Sequence, residues 1–206
     1  MNASQKILRS LYCFAVVAAT LLASGCNSLP RAPAQAAAGQ PDYLIGPGDN
    51  VNIVVWRNPE LSMSVPVRPD GKITTPLVED VPATNKTPTE LARDLEKALA
   101  KYIQAPVVTV IVTGFVGPYS EQIRVIGQAT RPQALPYRSH MTLMDVMIAV
   151  GGTTDFAAGN RAKLLRTTEK NTQYGLRIDD LLKSGDLSAN VEVRPGDVIV
   201  IPESWF

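Results

Sequence analysis

Histidine is almost missing from this sequence, which has a single one, His140, in 206 residues. Metal centres and acid–base chemistry that rely on imidazole are therefore poorly supported. Cysteine is scarce where it would matter. Cys13 and Cys26 both fall in the first 26 residues, so the remainder can carry neither a disulfide framework nor a thiolate metal site. No charge of one sign dominates either. A net charge of +1 creates no general field that would recruit nucleic acid or an anionic membrane surface.

What is present is an ordinary globular balance, 45% hydrophobic and 19% charged, which argues against general disorder. Sixteen prolines and fourteen glycines are spread along the chain and imply many turns and short strands. The length suits one medium domain or two small ones.

The first 25 residues read as an address. Lys6 and Arg9 form a basic start, and Leu11 to Leu22 is apolar except for Thr20. This run is shorter than the about 20 residues a bilayer span needs and has the proportions of a secretory signal. Leu22, Ala23, Ser24, Gly25 and Cys26 then resemble the lipobox of bacterial lipoproteins, with the Cys26 thiol as the lipidation site. The departure is Ala23, where leucine is most typical. The plainer alternative is a cleaved signal with an incidental cysteine. Asn27 rather than aspartate follows the cysteine, which favours the outer membrane as destination. Residues 26–41, rich in proline and alanine and without periodicity, read as a flexible tether.

From Asp42 the body opens on Gly46-Pro47-Gly48-Asp49, a turn by composition: proline presets φ and the glycines accept positive φ. Val51, Ile53 and Val55 then share one face of a strand, with Asn52, Val54 and Trp56 on the other. Val65–Val67, the turn Pro69-Asp70-Gly71 and Lys72–Thr75 suggest a hairpin. Thr87, Pro88 and Glu90 mark a helix start, and Leu91, Leu95, Ala98, Leu99 and Tyr102 form its apolar stripe. Val107–Phe115 is β-branched and alternates only weakly, so both of its faces are expected to be covered. Arg93, Asp94, Glu96 and Lys97 are better read as a solvated helix face than as a catalytic cluster.

After Gly117-Pro118 comes a second unit: a strand at Gln122–Ile126, Gly127 as its break and a turn at Arg131-Pro132. A capped helix from Thr142 stops at Gly151-Gly152. Strands follow at Arg161–Thr167 and Tyr174–Ile178, then a short helix. The closing strand Val198–Ile201 is introduced by Arg194-Pro195-Gly196-Asp197, an echo of the opening turn. The fold class is α+β: a small helix-on-sheet sandwich followed by a β-grasp arrangement.

Residues 42–117, through Tyr43, Gly46, Pro47, Gly48, Asp49, Arg68, Asp70 and Gly71, resemble the polysaccharide export domain. Residues 118–206, through Gly127, Gly151, Gly152, Pro195, Gly196 and Asp197, resemble one SLBB (soluble ligand-binding β-grasp) domain. Together they resemble a short form of the outer-membrane polysaccharide export (OPX) family, the family of the capsule translocon. The ending Ile201–Phe206 is similar to members of exosortase-type (PEP-CTERM) exopolysaccharide systems. Longer members carry further β-grasp domains and a pore-forming helix that this sequence does not show. The resemblance thus implies a non-catalytic, cofactor-free component, lipid-anchored at the periplasmic face of the outer membrane. It implies a homo-oligomeric ring or adaptor that conducts exopolysaccharide from an inner-membrane copolymerase to an outer-membrane β-barrel porin.

Two alternatives belong to other classes. A lipoprotein sensor would bind a small or oligosaccharide ligand through the β-grasp domain. An enzyme would need more than Ser139-His140, since no Gly-x-Ser-x-Gly elbow is present, and Asp179-Asp180 suits a helix start better than a metal. Trp205 and Phe206 either fold back on the body or dock a partner.

Overall fold

The computed structural model describes residues 29–34, 42–169 and 172–205. The lipobox Leu22–Gly25, Cys26 and Phe206 lie outside the described residues.

In the first unit β1 (Asn50–Val55) is the centre of an antiparallel sheet, flanked by β2 (Met63–Pro66) and β5 (Val108–Gly114). Val51, Ile53 and Val55 are buried, as the alternation predicts. Helix α1 (Pro88–Leu99) covers that face with Leu91, Ala92, Leu95 and Leu99. Its capping box is complete. Thr87 Oγ1 accepts from Glu90 N and the Glu90 carboxylate accepts from Thr87 N. Burying Leu91 and Leu95 in full stabilises the unit by about 1.5–3 kcal/mol each.

Three expectations need correction here. Tyr102 is exposed, because the helix ends before it, and Ala92 takes the place on the buried stripe. Lys72–Thr75 (β3) does not pair with the strand before it. Its partner is β4 (Val78–Pro82), a segment whose two acids and proline disguise it as a loop. The turn at Arg68–Gly71 instead bends the chain between two separate sheets. Finally, β5 alternates cleanly: Val108 and Val110 are buried, while Ile111 is exposed. Only one of its faces is covered.

The second unit is a five-stranded mixed sheet in the order β7-β6-β10-β8-β9. It comprises β6 (Ile123–Gly127), β7 (Ala134–Leu135), β8 (Ala162–Arg166), β9 (Thr172–Leu176) and β10 (Val198–Ile201). β10 runs parallel to β6 and antiparallel to β8. Helix α2 (Leu143–Val150) buries Leu143, Val146, Met147 and Val150 against the sheet. Thr142 and Asp145 form its capping box, and Gly151, at φ 79°, closes it in the left-handed conformation. A short helix, α3 (Ile178–Lys183), follows β9. This mixed α+β architecture agrees with the fold class read from the sequence.

Part of the expected tether is held in place. Gly175 N donates to Pro30 O at 2.9 Å, Glu192 N donates to Ala34 O at 3.3 Å, and Ala32 is buried in the second core. The exposed edge of β9 offers unpaired backbone groups, and residues 29–34 satisfy some of them. No helix among the described residues is long and apolar enough to cross a membrane.

Candidate functional site

The two units meet at Val116-Gly117, and the opening turn organises that junction. Asp49 is fully buried, and its carboxylate accepts four hydrogen bonds. Gly46 N donates to Oδ2 at 2.9 Å and Tyr43 Oη to the same oxygen at 2.6 Å. Val116 N and Gly117 N donate to Oδ1 at 2.6 and 2.8 Å. From the other side Gln122, also buried, donates through Nε2 to the carbonyls of Val116 and Gly117, each at 3.3 Å. Every polar backbone group of the crossing is thereby satisfied by a side chain, as buried backbone requires.

Glycine is needed at position 46 because a Cβ there would meet the Gly117 carbonyl carbon at 2.0 Å. Tyr43 stacks edge-on against Phe115, with ring centroids 5.4 Å apart. Burial, and then the Asp49 carboxylate, push the Tyr43 hydroxyl well above its ordinary pKa, so it stays a donor.

The closing turn repeats this geometry. Arg194 N donates to Asp197 Oδ2 at 2.9 Å, as Gly46 N does to Asp49. Gly48 and Gly196 both have positive φ, 89° and 78°. The third partner differs. Asp197 faces Arg166, whose Nε lies 3.3 Å from Oδ1 and whose Nη2 lies 3.2 Å from Oδ2. Both side chains are fully buried, and Arg166 also lies over the Tyr174 ring at 5.5 Å. Burial pushes the Asp197 carboxyl upward, against the pull of Arg166.

The other motif residues are likewise spent on shape. Arg68 pairs with Asp70 at 2.6 Å and with Asp80 of β4 at 2.7 Å, both exposed. Gly71 has no room for a side chain beside Thr84. Gly127 lies against β10, where a Cβ would meet Ile201 O at 2.0 Å. Gly152 N donates back to Met147 O after Gly151 has ended α2.

Two clefts open around the junction and share Pro136 and Ser139. One, of about 310 Å³, is lined by Tyr43, Pro118, Glu121, Tyr137 and Pro195. The other, of about 490 Å³, includes Arg138, His140, Asp145 and Ile148. His140 stands at φ 60°, its Nδ1 3.3 Å from Glu192 Oε1. A carboxylate thus faces this ring nitrogen. Asp179 pairs with Lys183 at 2.7 Å and Asp180 with Arg177 at 3.1 Å, so the acidic pair is spent on ion pairs. Among the described residues no three His, Cys, Asp or Glu side chains form a metal cluster.

At the tail, Ser204 N donates to Phe156 O at 2.7 Å and Trp205 is 85% exposed. The tryptophan does not fold back onto either core.

Residues 37–113 match the family described as "Polysaccharide biosynthesis/export protein", and residues 121–201 match the SLBB domain. The two matches follow one another in the order of the two units. The two matches together make the chain similar to outer-membrane polysaccharide export proteins. It is 25% identical over 185 residues to the EPS I polysaccharide export outer membrane protein EpsA of Ralstonia nicotianae (strain ATCC BAA-1114 / GMI1000), covering 78% of this chain and 47% of that protein. The EpsA of Ralstonia solanacearum is 28% identical over 181 residues, covering 76% of this chain and 47% of its own length. This chain therefore spans about half the length of the curated relatives it matches.

Sequence reasoning found the family motif but missed Gln122 as the second clamp and Arg166 as the partner of Asp197. The available signal for Arg166 was its place in the strand alternation, on the same face as Ala162 and Leu164.

Proposed function

We propose that this chain is a non-catalytic component of an exopolysaccharide exporter. It acts from the periplasmic face of the outer membrane, anchored by lipid on Cys26 after cleavage behind Leu22, Ala23, Ser24 and Gly25. The observation that carries the reading is the pair of consecutive family matches, residues 37–113 and then 121–201, on one chain; we assign the export domain to residues 42–117 and the SLBB domain to 118–206. The clamped Val116-Gly117 crossing supports it, since a conduit wall needs building blocks whose domains keep a fixed angle. Head-to-tail copies of such a block close into a ring. That ring passes exopolysaccharide from an inner-membrane copolymerase toward an outer-membrane β-barrel porin. Trp205 and Phe206 provide an apolar docking contact outside the chain's own fold. The motif glycines, Arg68, Asp70, Pro47, Pro195 and the two buried aspartates have structural roles only, and no cofactor takes part.

Deleting the gene should abolish secreted polymer while polymer continues to accumulate inside the cell. Electron microscopy of the acylated mature protein should show closed rings. A protein that remains monomeric at high concentration in detergent overturns the conduit reading.

The clefts at the junction favour a second reading, a sensor that binds oligosaccharide. Tyr43 and Tyr137 supply aromatic surface, and Glu121 supplies a hydroxyl acceptor. Saturable oligosaccharide binding by a monomer, lost in Y137A, would favour it over the conduit.

A further inference from the structure

A shallow groove of about 550 Å³ lies where residues 29–34 meet the second sheet, lined by Leu29, Arg31, Arg161, Lys163 and Arg177 among others. Its cations are not equivalent. Arg177 is committed to Asp180 at 3.1 Å and Asp186 at 2.8 Å. The adjacent Asp179 is held by Lys183 at 2.7 Å. Each of these three carboxylates thus already has a cationic partner, Arg177 serving two of them. Arg31, Arg161 and Lys163 are exposed, and none of them forms an ion pair among the described residues. Arg161 Nη2 donates to Glu203 O at 3.1 Å, which fixes the arm without cancelling its charge.

Two observations tell what faces this groove. Arg31 bridges Gly175 in parallel register, so the N-terminal segment is fixed along β9. Cys26 stands three residues before Leu29, and three residues reach at most about 11 Å. An acyl chain on Cys26 therefore brings the bilayer surface to the rim of the groove. The C-terminal segment passes the same place through the Arg161–Glu203 contact, two residues before the exposed Trp205. Tryptophan with neighbouring cations is the composition that gathers at a membrane–water boundary.

We propose that this groove is a docking surface for anionic phospholipid headgroups. Arg31, Arg161 and Lys163 pair with headgroup phosphates, and Trp205 enters the interfacial layer rather than a protein partner. The tethered molecule is then held in one orientation, with the second unit against the membrane. The placement of the bilayer rests on the acylation of Cys26 proposed above. Guanidinium groups suit phosphate because their forked donors match its oxygens. The net charge of +1 conceals the patch, since charges further away than about 8 Å are largely screened at physiological salt.

The test uses the mature chain, residues 26–206, with C26A so that no acyl group contributes. It is sedimented with vesicles of phosphatidylcholine alone or mixed with phosphatidylglycerol. The expected result is binding to the mixed vesicles that weakens about fivefold for each of R31Q and K163Q, the effect of one cation near an anionic surface. Neither side chain has a hydrogen bond to lose among the described residues, so folding is not at issue. Trp205 fluorescence should shift to the blue on mixed vesicles, a shift absent from W205F. Equal partition into both vesicle types overturns the inference. So does release of the protein by millimolar glycerol phosphate, which would make the groove a small-anion pocket. Polygalacturonate bound as tightly and with the same sensitivity to R31Q would assign the groove to acidic polymer instead. Mass spectrometry of the protein from cells reads the anchor separately. An unmodified Cys26 removes the anchoring and leaves the vesicle result intact, whereas an acylated protein without headgroup preference sinks the docking surface alone.

Discussion

The two Pro-Gly-Asp turns of this molecule use one local geometry for two different physical purposes. In each, a backbone N–H three residues upstream donates to the aspartate, and a glycine at positive φ completes the bend. Beyond the turn they diverge. Asp49 is satisfied by backbone N–H groups of the crossing and by Tyr43, whereas Asp197 is held mainly by the buried guanidinium of Arg166. The difference teaches which of the two is replaceable. Side-chain donors can be mutated together with their acceptor, but backbone donors cannot.

The largest expected effect follows from that asymmetry. D49A leaves Gly46 N, Val116 N, Gly117 N and the Tyr43 hydroxyl without their acceptor. At about 1–3 kcal/mol for each orphaned donor, unfolding free energy should fall by at least about 4 kcal/mol. Because those donors lie at the crossing, denaturant melts followed at both units should separate into two transitions. A single transition close to the wild-type midpoint would show that the crossing does not couple them.

D197A should cost about 3–5 kcal/mol, the penalty of a buried charge that has lost its partner. The double variant R166M/D197L should recover most of this, since a well-packed apolar pair often replaces a buried ion pair without loss. No second substitution should rescue D49A in the same way. Rescue of D49A, or failure to rescue D197A, would break the distinction between the turns.

Smaller effects come from pH and act on opposite sides of neutrality. Glu90 and Asp145, the acids of the two capping boxes, are held below their ordinary values of 4.5 and 3.8 by hydrogen bonds from Thr87 and Thr142. Their stabilisation is present above those values and lost as pH falls through the folded-state pKa. The melting-temperature deficit of E90Q or D145N should therefore shrink toward zero in acid. Tyr43 is raised above 10.0, so its contribution is complete below that value and lost as pH rises beyond it. Y43F should remove that part of the alkaline loss.

The smallest expected effect is that of R68A. The pairs of Arg68 with Asp70 and Asp80 are exposed and contribute about 0–1 kcal/mol. A loss well above that range would mean that the β2–β3 turn bears more of the first unit than its exposure implies.

Legibility followed locality. The strand at Val51–Val55, both capping boxes and the Gly151 stop were readable because each depends on residues within one or two turns of one another. The β3–β4 pairing was not, because Val78–Pro82 has poor strand composition and is held by its neighbour across the hairpin. The one-sided cover of β5 was hidden for a related reason: a β-branched run looks the same whether one face or two are buried.

The sequence alone determined the kinds of element, the turn chemistry and the family motif, since these follow from backbone preferences and short-range hydrogen bonds. Tertiary structure decided what the motif aspartates face. It also seated Gln122 across the crossing, buried Arg166, and laid residues 29–34 beside Arg161 and Lys163. Those outcomes join residues up to about 130 positions apart. Desolvation and packing at such distances depend on the whole fold, and no local pattern records them.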